Sequence, residues 1–290
     1  MQGLGNRSLF CFKRSIACPV LAICLCMTYF KMLRQCQNSP AVQPGKAPIP
    51  MNTYRLRPLY TLLCALLAGF GMACDTTVKT DEAEVGAAVR YMAPLNTDQI
   101  FQIDTTASSV TWIGAKVTGR HNGLIPIREG TIMLQNGKPH GGTAILDMAN
   151  IRSEDKSVDE AGNTKLTTHL RSADFFAIDQ YPTASFVITS IAPYDMTERQ
   201  DASATIWNTK QMRIKDPNHR ITGNLTIKDI TKSISFPAKI ELEDTVLRAR
   251  ANFNINRTHW KLNYGSDQSL GNKTIYPAVN IGLDIVAHQQ

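Results

Sequence analysis

Long stretches of the chain beyond residue 98 alternate between apolar and polar residues. Between Leu247 and Asn256, apolar residues occupy every second position, and arginine or asparagine fills most of the positions between them. A period of two places successive side chains on opposite faces of a β-strand. The pattern therefore predicts a strand with one apolar face and one polar face.

The same alternation predicts about eight strands in all. Clear examples cover 221–228, 234–240 and 279–285, and shorter ones lie around 110–117, 131–135, 143–148 and 186–191. Turn sequences separate strands at 136–139 and at 228–231, whereas 164–176 has helical spacing. Short strands with one polar face predict an all-β sandwich or a closed antiparallel barrel, because closure removes exposed sheet edges.

The interior of an eight-stranded barrel can be filled by side chains or can hold one small ligand. The predicted inward face is a mixture of small and large residues. They are Gly223, Ala238, Ala249 and Ala251 beside Phe236 and Phe253. This mixture fits a lumen lined by carbon, and it equally fits tight packing of large residues against small ones. The pattern leaves both alternatives open.

Charge and cysteine content divide the chain near residue 74. The first 74 residues hold eight lysine or arginine residues, no acidic residue and all seven cysteines, and the remainder holds 23 basic and 24 acidic residues. The body therefore has no basic excess that would indicate a nucleic-acid partner. It also lacks the cysteines for a disulfide or a thiolate metal site, and a domain of roughly 190 residues folds without either.

The segment 51–73 is typical of a bacterial lipoprotein signal peptide. Arg55 and Arg57 form its positive start, an apolar stretch covers 59–70, and small residues lead to Cys74. We predict that Cys74 is the mature N-terminus and the site of lipid attachment. Gly71 departs from the usual pattern, which has leucine three residues before the cysteine. The alternative is an ordinary cleaved signal in which Cys74 has no role.

The remaining N-terminal regions are predicted from composition. We interpret residues 1–50 as a misassigned extension of the protein. Their apolar stretch at 16–30 would otherwise place a second export signal before the one at 51–73. The alternative is that residues 16–30 form a signal-anchor helix. Residues 74–97 are small and polar without periodicity, which predicts a flexible tether before a barrel at 98–290. The expected location is the periplasm or cell envelope, with a membrane anchor at acylated Cys74.

Six ordered blocks of the body resemble the YceI-like family of bacterial polyisoprenoid-binding proteins. They are ID (103–104) with SVTW (109–112) and Lys116, HNG (121–123), LTTHLRSADFF (166–176), YPTASF (181–186), ITGNLTIKDITK (221–232), and FNINRTHW (253–260) with YGS (264–266). The resemblance implies a lipocalin-like, eight-stranded antiparallel β-barrel with one short helix. It also implies that the apolar channel holds a long isoprenoid or a similar fatty amphiphile, without a catalytic step.

Two departures from the family pattern concern the ligand more than the fold. Residues 195–219 look longer than the usual connection and carry an apolar pair, Ile206 and Trp207. The sequence Tyr276-Pro277-Ala278 stands where acidic residues are common in the family.

We predict that twelve apolar residues of the strands and the helical segment bind the ligand. They are Trp112, Leu134, Leu146, Phe175, Phe176, Phe186, Leu225, Ile227, Phe236, Phe253, Ile255 and Leu283. No cofactor or metal is expected, because His121, His169 and His259 lack ligand spacing, and no Gly-x-Ser-x-Gly of a hydrolase occurs. The alternative to a lipid carrier is an envelope structural or interaction module with a packed barrel and no ligand. The sequence also leaves a homodimer open.

Overall fold

The structure is a computed structural model that describes residues 76–92, 97–195, 197 and 212–290. The predictions for residues 1–75, including Cys74, and for Ile206 and Trp207 lie outside the described residues. The described strands are β1 (Asp81–Glu82), β2 (Glu84–Ala87), β3 (Gln99–Ile103), β4 (Ser109–Lys116), β5 (Gly119–Ile125), β6 (Ile127–Gln135), β7 (Lys138–Asp147), β8 (Arg152–Ser153), β9 (Thr183–Pro193), β10 (His219–Ile227), β11 (Ile230–Glu243), β12 (Val246–Asn256) and β13 (Ile275–Gln289). They are joined by one described α-helix, α1 (Glu160–Arg171), and by short 3-10 helices at Met148–Asn150, Arg257–Trp260 and Gln268–Lys273.

Eight antiparallel strands close into a barrel when two interrupted strands are each counted as one. β3 and β4 both pair with β13, so they form one wall strand, and β5 and β6 form the next in the same way. The others follow in the order β7, β9, β10, β11, β12 and β13, and the pairing of β12 with β13 closes the ring. The predicted closed eight-stranded barrel is confirmed.

Two hairpins of the barrel turn where the sequence predicts. The central residues of both turns have positive φ, at 53° and 72° for Asn136 and Gly137 and at 49° and 58° for Lys228 and Asp229. Two successive left-handed residues form a type I′ turn, whose twist matches that of the flanking strands. These turns set the registers of β6 with β7 and of β10 with β11.

Helix α1 lies in the connection between β7 and β9. It begins at Glu160 rather than at 164, because the Asp159 carboxylate accepts a hydrogen bond from the Gly162 backbone N–H at 2.7 Å and caps the first turn. It ends before Ser172, whose backbone is extended. The predicted helix through residue 176 is therefore wrong at its end, and Phe175 and Phe176 lie in the turn that follows it.

The barrel wall contains a seam between β11 and β12. These strands pair only from Ala238 and Ala251 toward their shared turn. Beyond that point the N-terminal strap, which we define as residues 76–90, fills the gap: β2 pairs antiparallel with β11, and β1 pairs parallel with β12. Val78 and Thr80 of the strap are buried.

Outward-facing amides of the barrel hold the strap in place. Asn254 is only 3% exposed and donates to the Val78 carbonyl at 2.9 Å and to Glu82 Oε1 at 2.8 Å. The Asn224 amide accepts from the Val89 N–H at 2.9 Å and donates to the Val89 carbonyl at 2.6 Å. The strap is therefore not the flexible tether that its composition predicts, because backbone pairing and these amides order a segment that lacks an apolar pattern.

No helix among the described residues combines the length and apolarity needed to cross a bilayer.

Candidate ligand-binding lumen

The barrel encloses a cavity of about 570 Å³. Every strand of the barrel contributes aliphatic or aromatic side chains to its wall. This volume lies within the range of small-molecule binding sites, which are mostly apolar with a few polar groups. The alternative of a solidly packed barrel required a filled interior, and the described interior is hollow.

Eleven of the twelve residues predicted to bind ligand line this cavity. They are Trp112, Leu146, Phe175, Phe176, Phe186, Leu225, Ile227, Phe236, Phe253, Ile255 and Leu283. Leu134 is the exception: it is completely buried and lies near the β6–β7 turn, outside the lining. Alternation along a strand identifies the inward face, but it does not tell how far along the barrel axis the cavity extends.

Three phenylalanines form one aromatic wall of the lumen. The Phe236 and Phe253 rings stack with their centroids 4.0 Å apart, and Phe186 lies 6.0 Å from Phe236. A Cβ atom at Gly223 would lie 2.4 Å from the Phe186 ring, so this inward glycine provides space for a neighbour. Ala238, Ala249 and Ala251 border the cavity itself. The inward mixture of small and large residues thus serves both packing and the lumen.

Trp112 lines the lumen, and its indole ring packs against a second glycine, Gly123. A Cβ atom at Gly123 would lie 2.8 Å from the indole ring and 2.0 Å from the Arg152 carbonyl oxygen, so only glycine fits there without a shift. The indole N–H of Trp112 is buried and has no acceptor among the described residues. Among the described residues, packing therefore holds the Trp112 ring in place without a hydrogen bond from its indole N–H, which is uncommon for a buried donor.

The cavity reaches solvent at an end that we call the mouth, bordered by Lys116, His169, Tyr264, Asn272 and Lys273. Tyr264 is 45% exposed, and its ring packs edge-on against His169 at 4.5 Å and beside Phe175 at 5.2 Å. Lys228 donates to the Phe175 carbonyl at 2.8 Å and so fixes the turn after α1. The mouth is therefore a packed rim of aromatic and basic side chains.

His121, also in the cavity lining, is engaged by a buried carboxylate. Its Nδ1 lies 2.7 Å from Asp155 Oδ2. Burial raises the pKa of Asp155, but hydrogen bonds from the Ser157 hydroxyl and N–H and from His121 outweigh it, so the pKa lies below its usual value. Within the described ranges, no three His, Cys, Asp or Glu side chains group as a metal site requires.

Arg257 organises the loop between β12 and β13. It is 4% exposed, and its guanidinium donates to three backbone carbonyls: Nε to Tyr276 at 3.3 Å, Nη2 to Ile275 at 3.0 Å, and Nη1 to Leu262. Burial lowers the pKa of Arg257 from its very high usual value, but a guanidinium remains charged in proteins. The neighbouring Trp260 donates to the Leu225 carbonyl at 3.0 Å. Both side chains tie this loop to the barrel.

Comparison with protein families identifies the barrel. A YceI-like domain matches residues 101–287, which is more than half of the chain. The chain belongs to the YceI-like family. A search of curated proteins finds no match.

Several solved structures are similar to this YceI-like chain at low sequence identity. BcnA of Burkholderia cenocepacia is 18% identical, with 63% of this chain and 98% of that chain covered and a TM-score of 0.47. A polyisoprenoid binding domain from Saccharophagus degradans, implicated in plant cell wall breakdown, is 13% identical over 66% and 98%, with a TM-score of 0.46. The Campylobacter jejuni YCEI protein is 14% identical over 71% and 93%, with a TM-score of 0.39.

Further residues that line the lumen of this YceI-like barrel are absent from the twelve predicted ones. Met148 and Ile151 come from the connection after β7, Leu166 and Leu170 from α1, and Leu262 from the loop that Arg257 holds. The helical spacing of Leu166 and Leu170 was a usable signal, because residues four apart share one helix face. The loop residues carry no periodic pattern.

Proposed function

We propose that this YceI-like barrel binds a long isoprenoid or a similar amphiphile in its lumen and carries it at the bacterial cell envelope. The observation that supports the proposal most directly is the cavity of about 570 Å³ with an almost entirely apolar lining. The ligand class is the one that the family resemblance implies. Carriage requires shape and apolar surface, and it requires no catalytic residue.

The free energy of burying a hydrocarbon tail supports an occupant. Water gains few hydrogen bonds from a carbon-lined wall, whereas each buried methylene contributes about 0.8 kcal/mol. Ten methylenes thus supply about 8 kcal/mol before the costs of association.

The strap supports membrane anchoring as a second part of the proposal. The Thr76 hydroxyl donates to the carbonyl of Lys116 at 2.6 Å, and Lys116 borders the mouth. Cys74 precedes Thr76 by two residues, so the chain between them spans at most about 7 Å. Acylated Cys74 would hold the mouth close to a membrane, from which an amphiphile can enter the lumen. In this proposal synthesis starts at Met51, and residues 51–73 direct export and are removed.

The experiment that tests carriage is organic extraction of natively purified protein, followed by mass spectrometry and by titration of the stripped protein with geranylgeraniol. We expect a long-chain amphiphile in the extract. Leu283→Trp, which fills the lumen, should weaken binding at least about tenfold, since it excludes several methylenes. Asp284→Trp is the matched control, because residue 284 is exposed on the outer face of the same strand.

Protein that is reproducibly empty, and that fails to bind geranylgeraniol after stripping, would reject carriage. The anchor is tested separately. Intact-mass analysis of the native protein should show a diacylglyceryl group at an N-terminal Cys74. The Cys74→Ser variant should no longer be found in the membrane fraction. A peptide from residues 1–50 in the mature protein would contradict the start at Met51.

A further inference from the structure

The charged residues in the lumen lining all have the same sign. They are Lys116, Arg250, Arg257 and Lys273, and the described lining contains no aspartate or glutamate. The body of the chain has almost equal numbers of acidic and basic residues, so this asymmetry is local. Arg250 already pairs with Glu241 at 3.0 Å on the outer surface. Lys116, Arg257 and Lys273 remain as the cations of the lumen.

These three cations converge on the first residues of β13. Lys116 is the register partner of Ile275 across the β4–β13 ladder. Arg257 donates from Nη2 to the Ile275 carbonyl at 3.0 Å, and Lys273 lies two positions before Ile275 in the chain. The strand pairing and the loop that Arg257 holds thus bring three positive charges to one side of the mouth.

None of the three cations forms an ion pair with a carboxylate of the described residues. The carboxylates of the surrounding loops contact other partners than these three cations. Asp155 lies 2.7 Å from His121, Asp174 lies 3.7 Å from His169, and Asp267 accepts from the Ser269 N–H at 2.8 Å. No carboxylate of the described residues therefore lies within ion-pair distance of Lys116, Arg257 or Lys273.

Arg257 is the least exposed of the three. Its hydrogen-bond partners among the described residues are neutral carbonyls, which occupy three of the five N–H donors of a guanidinium and leave two. A buried charge without a counter-charge is unfavourable, and a planar guanidinium is well suited to bind a carboxylate or a phosphate. An anion at the mouth would supply the missing charge.

We propose that the mouth selects amphiphiles with an anionic head, a carboxylate or a phosphate, which binds among Lys116, Arg257 and Lys273 while the apolar tail occupies the lumen. This inference rests on the proposed function, because it assigns a head-group site at the end of the same cavity. It commits to the head of a lipid rather than to a free anion.

The test uses three probes that share one tail: oleate, oleamide and oleyl alcohol, titrated into stripped protein at about pH 8, where the carboxylate is ionised. We expect oleate to bind about tenfold more tightly than either neutral probe, and we expect this preference to shrink in high salt. Geranylgeranyl phosphate and geranylgeraniol repeat the comparison with an isoprenoid tail.

The variant is Lys116→Gln/Lys273→Gln, which removes two charges and leaves Arg257 to hold the loop. The matched control is Lys138→Gln/Lys215→Gln, which removes two charges from exposed sites at the opposite end of the barrel. Oleate affinity should fall about tenfold in the mouth variant, toward that of the alcohol, and should not change in the control. An equal fall in both variants would indicate long-range attraction and would overturn the head-group site.

The outcomes separate this inference from the proposed function. Equal affinities of wild-type protein for oleate, oleamide and oleyl alcohol would overturn anion selection but leave carriage intact. If none of the tailed probes binds, the proposed function itself fails. Acetate is the tail-free arm: if acetate displaces oleate at equal concentration, the site binds free anions and the amphiphile inference is overturned.

Discussion

The lumen and the seam occupy opposite faces of the same two strands, β11 and β12. Toward the inside, Phe236 and Phe253 stack and border a cavity of about 570 Å³. Toward the outside, Asn254 bonds the strap with distances of 2.8–2.9 Å. Alternation along one strand thus produces an inner face that borders a cavity and an outer face whose buried amide is hydrogen-bonded to the strap.

The difference follows from the physics of the two faces. Burial of carbon is favourable in proportion to area and has no direction, so the lumen accepts any tail that fits. Burial of an amide is favourable only when its donors and acceptors are paired, so Asn224 and Asn254 accept one segment in one register. The seam is therefore specific for the strap of this chain, whereas the lumen is specific for a class of ligand.

Loss of the strap should have the largest effect on stability. A chain of residues 98–290 lacks the strap, so it exposes the surface that Val78 covers and leaves the edges of β11 and β12 unpaired. We expect its free energy of unfolding to be about 4 kcal/mol lower than that of residues 76–290. Urea denaturation measures it. A chain in which glycine and serine replace residues 76–90 is the control for length and should lose a similar amount. Coincident midpoints for all three chains would show that the seam closes without the strap.

A leucine pair separates the packed end of the barrel from the lumen. Leu134→Ala removes atoms from a completely packed site and should cost about 3 kcal/mol in stripped protein. Leu283→Ala should cost only about 1 kcal/mol, because one side of Leu283 already faces the cavity. Binding should weaken only for Leu283→Ala. The reverse order of stabilities would mean that the lumen is filled in the stripped protein.

A substitution of one amide, Asn254, tests the contribution of a single side chain to the seam. Asn254→Ala should cost about 2 kcal/mol, because the Val78 carbonyl loses the amide that donates to it inside the seam and the Asn280 amide loses one of its three acceptors. Arg248→Ala, on the exposed outward face of the same strand, is the control and should change stability by less than about 0.5 kcal/mol. Both values come from thermal or urea unfolding. A cost for Asn254→Ala as small as the control's would mean that water replaces the amide.

Particular residues show how far prediction from the sequence reaches. Period-two alternation located part of each of the eight wall strands and placed eleven predicted residues around the cavity. It overlooked β5, because Gly119–Ile125 contains two glycines, a histidine and an asparagine instead of an apolar alternation. It placed Leu134 in the ligand set, because parity gives the face of a strand but not the height along the barrel.

Local sequence determined the barrel strands, their tight turns and the apolar inward face, since each depends on neighbouring residues in the chain. Only the tertiary structure decided that the interior is hollow, because a cavity depends on how side chains from all eight strands meet. It also decided that Asn224 and Asn254 are buried beneath the strap, and that Lys116, Arg257 and Lys273 meet at the mouth. These features join residues more than one hundred positions apart, and a periodic pattern carries no information over that distance.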